Sequence, residues 1–539
     1  MKQRKLLLGV LTVVTAIALG ACQGDKNTDT SEAGNHSSET PTAGESVNDT
    51  QQTPAETDNL DNQDNLDYPI YGGSIVIGMT QDLVSLDPHQ ITDAGTRNVV
   101  FNLYEGLVKP TSDGDLVPAV ASDYSISEDA MTYRFILREG VAFHDGSTVT
   151  AEDVKYSIER YAEIQGESSA FSILDEVVIE DEQTIVVKLK DGNSEFLPSL
   201  TFGIIPASND DPEGNPIGTG PFKFVSYTPG QNLKLQKHTA YWNSPYPYLD
   251  NAEFKFVADV DTAFLELQAG TVDVLSYLTA AQVEVLGDSY DIVEGSMNLV
   301  QAMFLNNAYE PLTDVRVRQA LCYAVDRQVM NDFLFGGKSH LLGTHMISSI
   351  VKYYEPATEN LYEHNVEKAI QLLEEAGYGD GFDLEITVPS SYSQHVDTAQ
   401  ILVEQLAEVG VRATIRQVEW NTWLSDVYRE RNYQATVVGF DGTLAPGDWM
   451  KRYKSDASNN MMNYTNEEYD TIFEQAKAVV DDTEKAKLYK QLQMILAEDA
   501  AAVYIQEPAD FVAVNNKYGG YQFYPVAAQD LSTIYQRGE

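Results

Sequence analysis

The 539 residues carry 35 Lys and Arg against 82 Asp and Glu, a formal net charge of −47 at pH 7, with 43% hydrophobic residues and two cysteines. A chain of this length and apolar content buries a large core and forms more than one lobe. Its charge is repelled by phosphate backbones, which excludes nucleic acid as a partner, and is otherwise read as a solvated acidic surface.

The chain opens with Lys2, Arg4 and Lys5, an apolar run from Leu6 to Leu19, and then Gly20-Ala21-Cys22. A basic start, a short apolar stretch and small residues before a cut site describe a secretory signal. The run is too short to span a bilayer as a mature helix. Leu19-Gly20-Ala21-Cys22 resembles a bacterial lipoprotein box, which implies cleavage before Cys22 and lipidation of its sulfur. Residues 1–22 are thus expected to be a signal peptide, and the body to lie on the extracytoplasmic face of a cell membrane. With Cys22 acylated, Cys322 stands alone and no structural disulfide is expected. Its place in RQALCYAVDRQV predicts a small buried side chain.

Residues 23–67 are rich in Ser, Thr, Asn, Asp, Glu and Gln, with almost no large apolar side chain. Such a segment cannot offset its chain entropy by burial and is predicted to be a disordered acidic tether. As a flexible coil it reaches roughly 35–40 Å.

The folded body starts near Tyr71, with no repeat of 20–50 residues. GSIVIGM and the alternating TYRFILRE predict strands. Val260 to Ala269 predicts a helix ending at Gly270, followed by the strand VDVLSY. Asp314 caps a helix expected to run to about Phe333, and Asn365 caps EKAIQLLEEA before Gly377. Then come strand LEITV, helix Asp397 to Glu408, strand RATIRQV, helix Trp420 to Glu430 and strand ATVVGF, an α/β alternation. Two amphipathic helices, near Glu467–Val480 and Glu484–Glu498, precede the strand AAVYIQ.

One stretch invites a chemical reading: FHDGSTVTAEDVKYSIERY, with His144, Asp145, Glu152 and Asp153. Asp145-Gly146 is a turn signal, and Thr150-Ala151-Glu152-Asp153 has the pattern of a capping box ahead of Val154, Ile158 and Tyr161. Both helical acids also suit the positive end of the helix dipole. His144 and Asp145 lack the helical spacing of a zinc pair. GTGPF lacks the Lys-Ser/Thr of a phosphate-binding loop, and no nucleophile elbow, HExxH or CxxC occurs. His340 and His345, in a Gly-containing loop, are expected to be exposed. No enzyme, metal or cofactor follows from these residues; a secreted hydrolase would need a nucleophile–base or metal constellation that the sequence does not supply.

FHDGSTVTAEDVKYSIER closely resembles the signature of the family 5 extracellular solute-binding proteins, the dipeptide, oligopeptide and nickel receptors of ABC importers. GGSIVIG, SLDPH, NLYEGLVK, YRFILREGV, IGTGPFKFVSYTPGQ, Tyr241-Trp242 and LQAGTVDV agree in the family's order. FLNN, DVRVRQALCYAVDR, EKAIQLLEEAGY and NYTNEEYD follow, so the resemblance runs from about Tyr71 to the C-terminus. It implies an α/β, bilobal, class II periplasmic-binding-protein-like fold with an extra inserted domain. Lobe I would comprise 68–94, 210–300 and 502–539, the inserted domain 95–209 and lobe II 301–501. The hinge strands would lie near Ala302–Asn306 and Ala502–Gln506. Closure about them captures a solute and presents it to a permease with its ATPases. Gram-positive receptors of this kind are lipid-anchored, in keeping with Cys22, and a monomer is expected.

By the same resemblance one ligand wall is Thr92-Asp93-Ala94, just after Leu-Asp-Pro, and the other is the end of ATVVGF. Peptide receptors of the family carry Gly-Trp-x-x-Asp there, with the Asp pairing a peptide amine. This chain has Gly439-Phe440-Asp441-Gly442-Thr443. Thr443 stands at the usual Asp position and the carboxylate comes two residues early. Either Asp441 or Asp448 meets a ligand amine, or the ligand lacks one, since breaking a buried ion pair costs roughly 3–5 kcal/mol. Asp441 could equally cap its loop through Gly442. The expected contacts are Asp93 and Asp441 at a cationic end, main chain near Ala94 and Gly439 for strand-like pairing, Thr443 beside them, and Phe440 and Tyr504 as apolar walls. The solute is an oligopeptide-like molecule, or alternatively a metal chelate or oligosaccharide.

Overall fold

The computed structural model describes residues 68–91, 93–166, 169–257 and 259–538. The expected signal peptide with Cys22, the expected tether and Thr92 lie outside the described residues.

Side-chain caps begin the helices where the sequence marks them. Asp314, Asn365 and Thr150 each accept a hydrogen bond from the first turn of their helix, and Thr150 with Asp153 forms the full capping box. The helix expected from Asp314 to Phe333 is two helices, Val315–Ala324 and Arg327–Phe335. Asp326 takes the N–H of Val329 at 3.0 Å and starts the second. The segment from Trp420 makes one α turn and then winds as a π-helix over Trp423–Arg429, with Glu430 N–H donating to Ser425 O at 2.9 Å.

Three sheets organise the body. A seven-stranded mixed sheet runs in the order Tyr290–Ser296, Ala509–Asn515, Val274–Leu275, Ser74–Met79, Asn251–Phe256, Asn232–Lys237, Phe222–Thr228. A six-stranded sheet runs His340–Leu341, Ala502–Glu507, Leu299–Leu305, Ala435–Asp441, Asp383–Pro389, Arg412–Val418. An antiparallel four-stranded sheet is built from Ala121–Ile126, Thr132–Leu137, Thr184–Leu189 and Leu174–Asp181. The six-stranded sheet is covered on both faces at its centre, so Leu299–Leu305 and Ala435–Asp441 are largely apolar and buried, while the edge strand Arg412–Val418 alternates with polar residues. Along Ala435–Asp441, Val438 and Phe440 meet one core with Trp423 and Trp449, while Ala435 and Val437 meet the other with Met303 and Leu402.

The chain passes between the two large sheets twice. The change comes at Met297–Asn298, between Tyr290–Ser296 and Leu299–Leu305, and again at Pro508. The strands expected as the hinge, near Ala302–Asn306 and Ala502–Gln506, lie inside the six-stranded sheet, a few residues after the first change and just before the second. Pro508 has no N–H to give to either ladder. Asn298 adopts φ 54, a left-handed bend that Asn tolerates. Met297 N–H donates to Pro508 O at 2.9 Å and ties the two crossovers together. Beside them the buried Glu507 accepts the Ser348 N–H at 2.8 Å, the Ser348 hydroxyl at 2.9 Å and the Ser296 hydroxyl.

The motifs that look chemical hold one another. His144 Nε2–H donates to Gly220 O at 3.1 Å and its Nδ1 accepts from Gly218 N–H at 3.2 Å, so FHDG is clipped to GTGPF. Burial and the neighbouring His238 push His144 down to about 3, which keeps it neutral. Asp87 of SLDPH pairs with Arg160 of SIER, whose guanidinium also donates to His89 Nδ1 at 2.7 Å. Glu105 of NLYEG takes the Tyr241 hydroxyl at 2.6 Å and the Trp242 indole N–H at 2.7 Å. Cys322 is buried with its thiol pushed up to about 12 by desolvation, an inert core residue.

A candidate ligand-binding cleft

Asp93 caps the helix Ala94–Val100: its Oδ1 takes the Thr96 N–H at 2.8 Å. Its Oδ2 is buried and has no hydrogen-bond partner. One turn on, Arg97 Nη2 lies 3.8 Å from Asp441 Oδ2, at the end of the strand Ala435–Asp441. This ion pair joins the two expected walls. Its side chains are 44% and 60% exposed, so it is weak and open to exchange. Among the described residues the Asp441 carboxylate takes no hydrogen bond from the loop that follows, so it does not cap it. Asp448, the other candidate for an amine, is engaged by the Thr443 hydroxyl and by Lys451 Nζ at 2.8 Å.

The expected main-chain pairing meets two obstacles. The Gly439 N–H donates to His395 Nε2 at 3.1 Å, and Ala94 opens a helix rather than an extended edge. A Cβ on Gly439 would lie 2.5 Å from Leu299 Cδ1 and 3.3 Å from the His395 ring. Since His395 Nε2 accepts, its proton sits on Nδ1, which faces the Gln301 side chain at 2.8 Å. The Gln301 oxygen must therefore face the ring, and with the Gln506 amide turned likewise the Gln301 N–H donates to the Gln506 side-chain oxygen, which otherwise lacks a donor. Burial holds His395 down to about 3, so the relay is neutral. It links the candidate wall to the strand Ala502–Glu507.

Phe440 is half-buried, with ring centroids 5.0 Å from Phe304 and 6.2 Å from Tyr428, and the Arg452 guanidinium carbon lies 3.9 Å from its centroid. Thr443, at the position where peptide receptors carry Asp, is committed within its loop. Its hydroxyl meets Asp448 and Ala445 N–H, and its carbonyl takes the Trp449 indole N–H at 2.9 Å. Tyr504 is 5% exposed, with its hydroxyl beside that of Tyr453. It is a core residue, not a free wall. His340 is exposed as expected, but His345 is completely buried among Phe304, Tyr453 and Trp449. The loop composition around His345 hid this, because the covering rings come from distant segments. Arg97 and Arg452 also escaped the sequence reading: each gains meaning only from a residue brought up by the fold.

Two further contacts bridge the sheets near this loop. Gly447 N–H donates to Glu195 Oε2 at 3.0 Å, and Ser194 Oγ–H donates to Lys477 O at 3.0 Å. Among the described residues, no three His, Cys, Asp or Glu side chains are grouped to hold a metal ion, and no helix is long and apolar enough to cross a membrane.

Residues 115–466 match the profile of the bacterial extracellular solute-binding proteins, family 5 (middle). The chain belongs to this family. The oligopeptide-binding protein AppA of Bacillus subtilis (strain 168) is 27% identical over 575 residues, covering 99% of each chain. The glutathione-binding protein GsiB of Pectobacterium atrosepticum is 28% identical over 480 residues, 84% of this chain and 91% of that one. Among solved structures, the ABC transporter substrate-binding protein CtaP of Listeria monocytogenes superposes with a TM-score of 0.79 at 26% identity, covering 86% of this chain and 99% of that one. The fold is therefore that of the bilobal periplasmic-type binding proteins, and these relatives are binding proteins rather than enzymes.

Proposed function

We propose that this protein is a lipid-anchored extracellular receptor that captures an oligopeptide-like solute and delivers it to an ABC permease. The seven-stranded sheet forms lobe I, the six-stranded sheet lobe II and the four-stranded sheet the inserted domain. The lobes close about Met297–Asn298 and Pro508. Cys22 carries the lipid. The observation that carries the reading is the meeting of Asp93, Arg97 and Asp441 across the two walls. A zwitterionic solute can replace the Arg97–Asp441 pair, its ammonium taking Asp441 or the free Asp93 oxygen. Relatives named for binding an oligopeptide and glutathione support a peptide-like solute.

Calorimetry with tri- to pentapeptides tests this. Free peptides are expected to bind, and N-acetylation or Asp441→Asn to weaken binding at least about tenfold, the effect of one charge-assisted contact. Thr443 in place of the usual Asp favours a second reading, a solute without an amine such as a metal chelate or oligosaccharide. Absence of heat with every peptide, together with binding of a chelate or sugar, selects it.

A further inference from the structure

Arg452 is 7% exposed, and its Nε and Nη1 are buried without any hydrogen-bond partner. One face of its guanidinium is taken by the Phe440 ring. Beside it His345 is fully buried, and neither of its ring nitrogens has a partner. Burial, and then the Arg452 charge, hold His345 far below the usual imidazole range, so it is neutral and offers one N–H. Of the two carboxylates whose charge reaches Arg452, Asp448 is held by Thr443 and Lys451, and Asp441 faces Arg97 in the exposed pair at the cleft; neither bonds the Arg452 guanidinium. Among the described residues no carboxylate is paired with this cation, in a chain that carries 82 acidic residues. A buried guanidinium without an acceptor is costly, and no side chain among the described residues meets these two nitrogens. The planar fork fits a carboxylate, and Phe440 is the residue next to Asp441 at the cleft.

We propose that Arg452 and His345 form an anion subsite beneath Phe440 that takes a carboxylate of the captured solute. It rests on the reading of a peptide-like solute and adds a specificity: the solute carries a carboxylate, at its C-terminus or on a side chain, distinct from the group that meets Arg97. Arg452 is a specificity-determining cation, held ready by aromatic packing rather than by a counter-ion.

The test is calorimetry on the full-length protein with Ala-Ala-Glu, Ala-Ala-Gln and their C-terminal amides. One carboxylate, identified by which replacement hurts, is expected to be worth about 30-fold in affinity. Arg452→Met abolishes that difference, Arg452→Lys keeps part of it, and His345→Phe reduces it. Ligand-free R452M is expected to melt at the same or a higher temperature than the wild type, because an uncompensated charge is gone. Equal weakening of all four peptides, no carboxylate preference in the wild type, or a lower melting temperature for ligand-free R452M overturns the proposal. If no peptide binds the wild type, the peptide reading fails separately. The subsite is then read with glutarate against sodium chloride of equal ionic strength. A melting shift in the wild type that is absent in R452M sustains it, and no shift in the wild type overturns it.

Discussion

Asp87 is 1% exposed, and it holds Arg160, the Gln90 amide at 2.7 Å and the His89 N–H at 3.1 Å. Burial raises its pKa, but the Arg160 and Gln90 hydrogen bonds and the Arg160 charge outweigh that, and the net shift is downward. A depressed carboxylate stabilises the native state above its unfolded pKa, about 3.9, and that stabilisation is lost as pH falls through the folded value. Asp87→Asn is therefore expected to lower stability by roughly 3 kcal/mol in urea titrations at pH 7, as a half-broken buried pair does. The difference should shrink as the titration is repeated toward pH 3. An unchanged midpoint at pH 7 would show that the clip between SLDPH and SIER is ornamental.

At the scale of elements, backbone approach decides what a glycine is for. A Cβ on Gly218 of GTGPF would lie 2.2 Å from the Leu103 carbonyl oxygen, which is main chain and cannot swing away. Gly287 has open space around it. Gly218→Ala is thus expected to lower the melting temperature by several degrees, the consequence of about 1–3 kcal/mol of overpacking, and Gly287→Ala to leave it nearly unchanged. The same contrast explains what was legible in the sequence. Caps such as Thr150-x-x-Asp153 are local, so helix starts could be read from neighbouring residues. The break at Asp326 was missed because its flanks keep a helical pattern. Phe440 and Asp441 stand out as candidates because the chain departs from a known motif there. Arg97, Arg452 and buried His345 were not, since their partners come from other strands and loops, and a charge or ring in isolation carries no such signal.

At the scale of the whole molecule, Glu195 ties the loop after the four-stranded sheet to Gly447, six residues beyond Asp441 in the candidate ligand loop. Burial pushes its carboxyl up to about 7, and the Asp448 charge adds to this; the Tyr489 hydroxyl, the Lys485 ammonium and the Gly447 N–H oppose them. Exposed by opening, the same group would titrate near 4.3. Between roughly pH 4.3 and 7 the closed form therefore binds a proton that the open form lacks, so lowering the pH favours closure and raising it above 7 favours opening. Small-angle scattering of the ligand-free protein should show a smaller radius of gyration at pH 6 than at pH 8. Glu195→Gln, which mimics the protonated group, should hold the compact value at both. A radius that shrinks on going to pH 8, or a pH response that survives in E195Q, would mean that another group governs the contact between the inserted sheet and the ligand loop.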